Sequence, residues 1–287
     1  MLTIWSGLAV GAIYVLVAIG FNIMFVASDT FNFAQPQYLM LGTFVSYTIV
    51  VSLGMPLVVA LVVGGVMGFA VGVLEDWTAI RPLSGTGVHG ELVTTVGWSV
   101  IMQGCVLLLW GSAPHRIPGA GSDSVVTLLG GRLSVNDLVL IALAVGLSFG
   151  THYWFTHSKL GIAGLAASED RQAAMIRGIN VNRLSTGACA VAGALLGSLG
   201  AVVGPKTFAV FTLGSILVLK AFVALAVGGF GSFKGALIGG FVVGVVEALV
   251  GRYLGTEFAN LAVFGVLIGV LLLRPQGLFG QRRERVV

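Results

Sequence analysis

The side chains able to do chemistry in this chain are few, and most stand in apolar surroundings. Glu247 lies within GGFVVGVVEALVG, about 12 residues into its run, and Lys220 lies within LGSILVLKAFVALAVGG. A carboxylate that deep costs on the order of 3 kcal/mol in a bilayer unless it faces a cavity or a partner. Glu247 is therefore a candidate for a solute or ion path, with Lys220 as its counter-charge, although a position near the outer interface beside Arg252 is the plainer alternative. Asn32, Gln35 and Gln37, in NFAQPQYLMLG, separate one apolar run from the next. Their amides could line a water-filled path, because polar groups are tolerated at membrane depth only where protein or water surrounds them. The alternative is an ordinary helix start capped by Asp29 or Thr30, with Pro36 in the first turn where its missing N–H costs nothing. Gln103, inside ELVTTVGWSVIMQ, is a path candidate better suited to helix packing.

No catalytic or metal set emerges. His89, His115, His152 and His157 lack metal-ligand spacing and read as interfacial or loop residues. The segment GGFGSFKG, 228–235, lacks the Gly-Lys-Ser/Thr ending of a phosphate loop and reads as a tight turn, so nucleotide chemistry belongs elsewhere. Cys105 and Cys189 sit in apolar runs as small hydrophobes and imply no disulfide.

The elements that must hold these groups are membrane helices. Of 287 residues, 57% are hydrophobic and only 9% charged, against about 25% charged in soluble domains. An all-α, polytopic bundle follows, one domain over 1–287, with about eight or nine spans at roughly 20 residues per bilayer crossing. The spans are expected near 6–27, 34–53, 56–74, 92–111, 135–156, 186–204, 210–228, 235–252 and 257–273, the run at 212–230 being the weakest. The opening MLTIWSG lacks the basic start and small-residue cleavage site of a signal peptide, so the first run is expected to remain as a span.

Two connections are long, 111–137 and about 157–185. If the second is cytoplasmic, alternation puts ten basic residues on that side: Arg81, Lys159, Arg171, Arg177, Arg183, Lys234, Arg274, Arg282, Arg283 and Arg285. Four fall outside, Arg116, Arg132, Lys206 and Arg252. This is the direction of the positive-inside rule, with the amino terminus outside and the carboxyl terminus in the cytoplasm. The net charge of +4 thus reports orientation and not nucleic-acid binding. The 157–185 loop carries a helical segment, ASEDRQAAMIR, ended by Gly178. Between two spans such a helix is a handle for a partner, or else a solvated connector. Glycines four apart (Gly7/Gly11, Gly64/Gly68, Gly193/Gly197, Gly200/Gly204, Gly235/Gly239, Gly240/Gly244, Gly265/Gly269) predict close helix packing and no chemistry.

Gln172-Ala173-Ala174 followed by Gly178 resembles the Glu-Ala-Ala-x-x-x-Gly loop by which permeases of ATP-binding-cassette (ABC) importers dock on their ATPases, with Gln in place of Glu. NFAQPQYLMLG, IRPLSG, ELVTTVGWSVIMQ, RGINVNRL, LKAFVALAVGGFGSFKGALIGG, GVVEAL and LLLRPQGLFG resemble, in order and nearly end to end, the high-affinity branched-chain amino acid permease family. That family usually reads Asn-Phe-Ala-His-Gly-Glu where this chain has Asn-Phe-Ala-Gln-Pro-Gln, so no role of that His or Glu carries over. The resemblance implies an inner-membrane permease subunit with no catalysis and no cofactor of its own, ATP and Mg being held by partner ATPases. It implies a second homologous permease, two ATPase subunits, an extracytoplasmic solute-binding protein and surrounding lipid as partners, and no nucleic acid. The implied solute is a branched-chain amino acid or a related small polar molecule such as urea or an amide. Docking is expected on Glu169, Asp170, Gln172, Ala173, Ala174, Arg177 and Gly178. The rival is a secondary transporter or channel driven by an ion gradient, which needs a midplane ion site for which Glu247 with Lys220 is the candidate.

Overall fold

The computed structural model describes residues 2–28, 31–83, 88–119, 124–128 and 131–280, and nearly all of these are helical. In chain order the elements are α1 (Leu2–Ser28), α2 (Gln35–Tyr47), α3 (Leu57–Glu75), α4 (Val88–Trp110), β1 (Val125–Leu128), β2 (Gly131–Ser134), α5 (Val135–His157), α6 (Lys159–Glu169), α7 (Arg171–Ile176), α8 (Val181–Thr207), α9 (Leu213–Gly228), α10 (Phe233–Tyr253) and α11 (Thr256–Leu273). Seven helices among the described residues are long and apolar enough to cross a membrane. The remaining two expected runs are shorter. The one at 34–53 divides into α2 and a π-helical turn, Thr48–Ser52, and the one at 210–228 yields the 16 residues of α9. The long 111–137 connection holds an antiparallel hairpin, β1 with β2, in which Val125 faces Ser134.

The chain folds into two compact units. One comprises residues 1–22, 125–154 and 219–287. Here α1 meets α10 through glycine, since a Cβ on Gly11 would lie 3.0 Å from the Phe241 Cα and one on Gly7 2.8 Å from the Val245 Cα. The α9–α10 turn is held from α1: the Asn22 amide donates to the Ser232 carbonyl at 3.0 Å and accepts from the Gly231 N–H at 3.0 Å. After α11 the chain returns to this turn, and the Leu278 and Phe279 N–H groups donate to the Val227 and Gly228 carbonyls, each at 2.9 Å. Those carbonyls end α9 and would otherwise lack partners. The GGFGSFKG segment is thus a turn, with Gly229 and Gly231 at positive φ and Ser232 capping α10.

The second unit comprises residues 23–124 and 155–218. Its centre is a seam of small residues in which Gly64, Gly68 and Gly72 of α3 abut Gly197, Gly193 and Cys189 of α8, while Gly42 of α2 abuts Gly197 and Gly200. With no Cβ in the way, the helix axes approach until backbone touches backbone. Gly265 and Gly269 of α11, equally spaced, have no heavy atom of the described residues within 4 Å of an added Cβ, so there the pattern packs no helix of its own unit.

The start of α2 is built as its sequence requires. Pro36 lies in the first turn, Ala34 is the N-cap without a side-chain bond, and the Asn32 Oδ1 accepts from the Ala34 N–H at 2.8 Å. Asp29 and Thr30, the alternative caps, lie outside the described residues. The α3 helix runs on through a π-helical turn, Asp76–Ile80, before Arg81–Leu83 tighten and Pro82 stops it.

Candidate functional site

The 157–185 connection folds into two short capped helices. Ser158 accepts from the Gly161 N–H at 2.9 Å to start α6. Asp170 breaks the chain between α6 and α7 in an extended conformation, and its Oδ1 accepts from the Gln172 and Ala173 N–H groups, both at 2.9 Å. Gly178 ends the segment at φ 85°, where L side chains are strained. The inner face of this helix pair is apolar: Ala167, Ala174 and Val181 are buried together, with Ile179 and Leu184 against them. Ala174 therefore holds α7 to α6 and α8. The opposite face presents Gln172, Ala173, Met175, Ile176 and Arg177 outward, Ile176 being 87% exposed. Glu169 and Asp170 are exposed at the junction. Three residues after Gly178, α8 begins, capped by the Asn180 side chain.

The beginning of α8 meets the end of α3. Asp76, fully buried, accepts from Ser185 Oγ at 2.9 Å and Thr186 Oγ1 at 2.6 Å, and pairs with Arg81 Nε at 2.9 Å. Arg81 Nη2 also donates to Thr186 Oγ1 at 2.5 Å, so one charge network closes the junction. Ser28, Arg81, Glu91, Arg171 and Asn182 line a small cleft beside it.

Next to Asp76, Glu75 is equally buried and accepts from the Tyr38 hydroxyl of α2. Asn32 lies beside the same carboxylate and hydroxyl, but its Nδ2 closes no hydrogen bond. Among the described residues Gln35, on one helical face with Tyr38, has neither amide atom partnered, and the Gln37 Oε1, which lies against Gly214, and the Glu75 Oε1 have no partner. Each such atom leaves about 1–3 kcal/mol of desolvation uncompensated. Buried polar atoms of this kind find their partners in water, in a bound polar group or in another state of the molecule.

The remaining path candidates are tied to neighbours. Glu247 takes the Tyr14 hydroxyl at 2.5 Å and the Lys220 ammonium, joining α1, α9 and α10 within the first unit. Gln103 Nε2 donates to Ser215 Oγ at 2.6 Å, from α4 to α9 within the second. Of the five expected path residues, Asn32, Gln35 and Gln37 thus carry unspent polar atoms, whereas Gln103 and Glu247 join helices.

Sequence reasoning passed over Glu75, Asp76 and Tyr38. The available signal was Glu75-Asp76 directly after an apolar run in GVLEDWTAI, followed by Arg81. With the span expected to end at 74, both acids looked like loop residues, whereas the helical backbone carries them inside. Of the histidines, His115 is anchored at the far end of α8, about 40 Å along it at 1.5 Å per residue. It exchanges backbone hydrogen bonds with Ala209 at 3.0 and 2.9 Å and stacks on Tyr47 with ring centroids 4.2 Å apart. The His89 side chain lies outside the described residues.

A family model described as branched-chain amino acid transport system, permease component, matches residues 3–274. The high-affinity branched-chain amino acid transport system permease protein LivH of Escherichia coli (strain K12) is 31% identical over 304 residues, which covers 96% of this chain and 94% of LivH. BraD of Pseudomonas aeruginosa, named as the same kind of permease, is 30% identical over 299 residues with the same coverage of both chains. Among solved structures, PsaBC from Streptococcus pneumoniae in complex with Fab matches with a TM-score of 0.48 at 11% identity, over 94% of this chain and 91% of that one.

Proposed function

The chain belongs to the branched-chain amino acid transport permease family, and from that premise we propose how its parts share the work of transport. It is a multi-pass inner-membrane permease subunit of an ABC importer. Its solute is a branched-chain amino acid or a related small polar molecule, as the names of its relatives suggest. The amino terminus lies outside and the carboxyl terminus in the cytoplasm, in keeping with the ten-to-four distribution of basic residues. The whole chain acts as one permease domain beside a second homologous permease, with two ATPase subunits that hold ATP and Mg, and with an extracytoplasmic solute-binding protein that delivers the solute.

The observation that carries this reading is the architecture of the α6–α7 connection. It is fixed from within by Ala167, Ala174 and Val181 and presents Gln172, Met175, Ile176 and Arg177 outward. An outward-facing isoleucine on a capped helical turn is a natural anchor for a groove in an ATPase, and α8 begins five residues after it. A push on α7 reaches Ser185 and Thr186, which hold Asp76, through the packing of Ala174 and Ile179 against Val181 at the start of α8. Asn32, Gln35 and Gln37 line the solute path, and Gln103 and Glu247 border it while holding the helices that frame it. With the Glu247 carboxylate engaged by Lys220 and Tyr14, an ion-gradient mechanism through that residue has less support.

The test is co-purification and ATP-driven uptake by the reconstituted transporter carrying Ile176→Asp. Burying an isoleucine side chain is worth about 1.5–3 kcal/mol, so the variant should bind the ATPase subunits at least tenfold more weakly and lose coupled uptake. Unchanged association and uptake would remove α7 as the docking element.

A further inference from the structure

The two acids at the end of α3 are unevenly compensated. Asp76 has Arg81, Ser185 and Thr186. Among the described residues Glu75 accepts from the Tyr38 hydroxyl on Oε2, has Asn32 beside it, leaves Oε1 without a hydrogen bond, and pairs with no lysine, arginine or histidine. A carboxylate withdrawn from water in a membrane-spanning helix requires a proton or a cation. Asn32 lies beside it, and one helical turn before Tyr38 stands Gln35; among the described residues Asn32 Nδ2 and Gln35 Oε1 and Nε2 have no hydrogen-bond partner. An amino acid zwitterion offers the complement, an ammonium with three donors and a carboxylate that only accepts.

We propose that Glu75, with Tyr38 and Asn32 beside it, is the counter-charge for the ammonium group of the solute as it passes through the permease. The proposal rests on the reading of this chain as a solute path and adds what that path recognises. The position suits the role. Glu75 lies five residues before the end of the Leu57–Ile80 span, about 8 Å at 1.5 Å per residue. It is therefore near the end that adjoins α7, and beside an aspartate held by the first turns of α8. Displacement of α8 by a docked ATPase would move Ser185 and Thr186 against Asp76, and so alter access to its neighbour.

The test is labelling by dicyclohexylcarbodiimide in the complete wild-type transporter, read at Glu75 by mass spectrometry with Glu247 in the same digest as the reference. The probes are 3-methylbutylamine and 3-methylbutanol, which share an aliphatic body, differ in carrying an ammonium or a hydroxyl, and reach the site through the bilayer. The amine is expected to lower Glu75 labelling at least fivefold more than the alcohol does. Equal effects of the two probes, no effect of the amine, or no labelling of Glu75 in any arm would overturn the assignment. Glu75→Gln should in addition lower leucine uptake at least tenfold in complexes that still co-purify with their ATPases, and uptake at the wild-type rate would also overturn it. If Glu75→Gln does not fold, the labelling of the wild type decides alone. Amine-selective protection in a chain that moves no solute would retire the transport reading and leave the cation site standing.

Discussion

Replacing Gly64 by alanine puts the α3–α8 seam to a quantitative test. The new Cβ would lie 2.5 Å from the Gly197 carbonyl oxygen and 3.2 Å from its carbon, where ordinary contact begins at 3.4 Å. Both obstacles are backbone, so no side chain can swing aside and α3 must retreat from α8 by about 0.9 Å at this point. Such overpacking costs about 1–3 kcal/mol, and the same retreat loosens the neighbouring Gly68–Gly193 and Gly72–Cys189 contacts. Against this stands the helix-propensity gain of alanine over glycine, about 1 kcal/mol. The expected net effect is a destabilisation of up to about 2 kcal/mol. Gly265→Ala and Gly104→Ala are the controls, because nothing lies within 4 Å of either added Cβ. They should be neutral or stabilising by up to about 1 kcal/mol. Reversible unfolding in mixed micelles titrated with dodecyl sulfate, followed by tryptophan fluorescence, separates the two classes. Equal midpoints for Gly64→Ala and Gly265→Ala would refute the claim that backbone contact at this seam holds the unit together.

Three further outcomes follow from named contacts. Lys220→Met should destabilise the purified permease by about 3 kcal/mol, the cost of orphaning a largely buried charge. Lys220→Met with Glu247→Gln should recover most of that loss, and additive effects in the unfolding cycle would show that the pair is uncoupled. Asp76→Ala removes the acceptor shared by Ser185, Thr186 and Arg81. It should cost about 3 kcal/mol, with Asp76→Asn costing less, both read in the same unfolding assay. Asp170→Ala removes the cap of α7 and should raise amide exchange at Gln172 and Ala173 by about fivefold, for a cap worth about 1 kcal/mol. Unchanged exchange would show that the neighbouring α6 and α8 contacts order α7 without it.

Much of this protein is legible residue by residue, wherever the governing physics is local or set by the bilayer. Apolar length places the long helices within a few residues, because an unpaired backbone cannot remain in lipid and must close into helices. Pro36 marks the start of α2, and Gly178 ends the α6–α7 segment, since each fixes or frees one backbone torsion. Lys220 was recognisable as the counter-charge of Glu247 from the cost of leaving either alone in an apolar run. The order of motifs from Asn32 to Gly280 was enough to recognise the permease family.

What needed tertiary structure is what depends on which helix faces touch. Glycine pairs with identical spacing pack tightly at Gly64/Gly68 and meet nothing at Gly265/Gly269, because the neighbour, not the spacing, supplies the contact. Ala174, one of the expected docking residues, turns inward onto Ala167 and Val181, and Ile176 faces outward. Glu75 and Asp76 look alike as two acids ending an apolar run. Arg81 is close to Asp76 in sequence, but only the approach of α8 adds Ser185 and Thr186 to it, and only the approach of α2 gives Glu75 the Tyr38 hydroxyl. Composition and periodicity say how much polar chemistry a chain must bury. Which of those groups remain unpaired is decided by side chains more than 100 residues apart, as Ser185 is from Asp76, and that pairing is written in no local pattern.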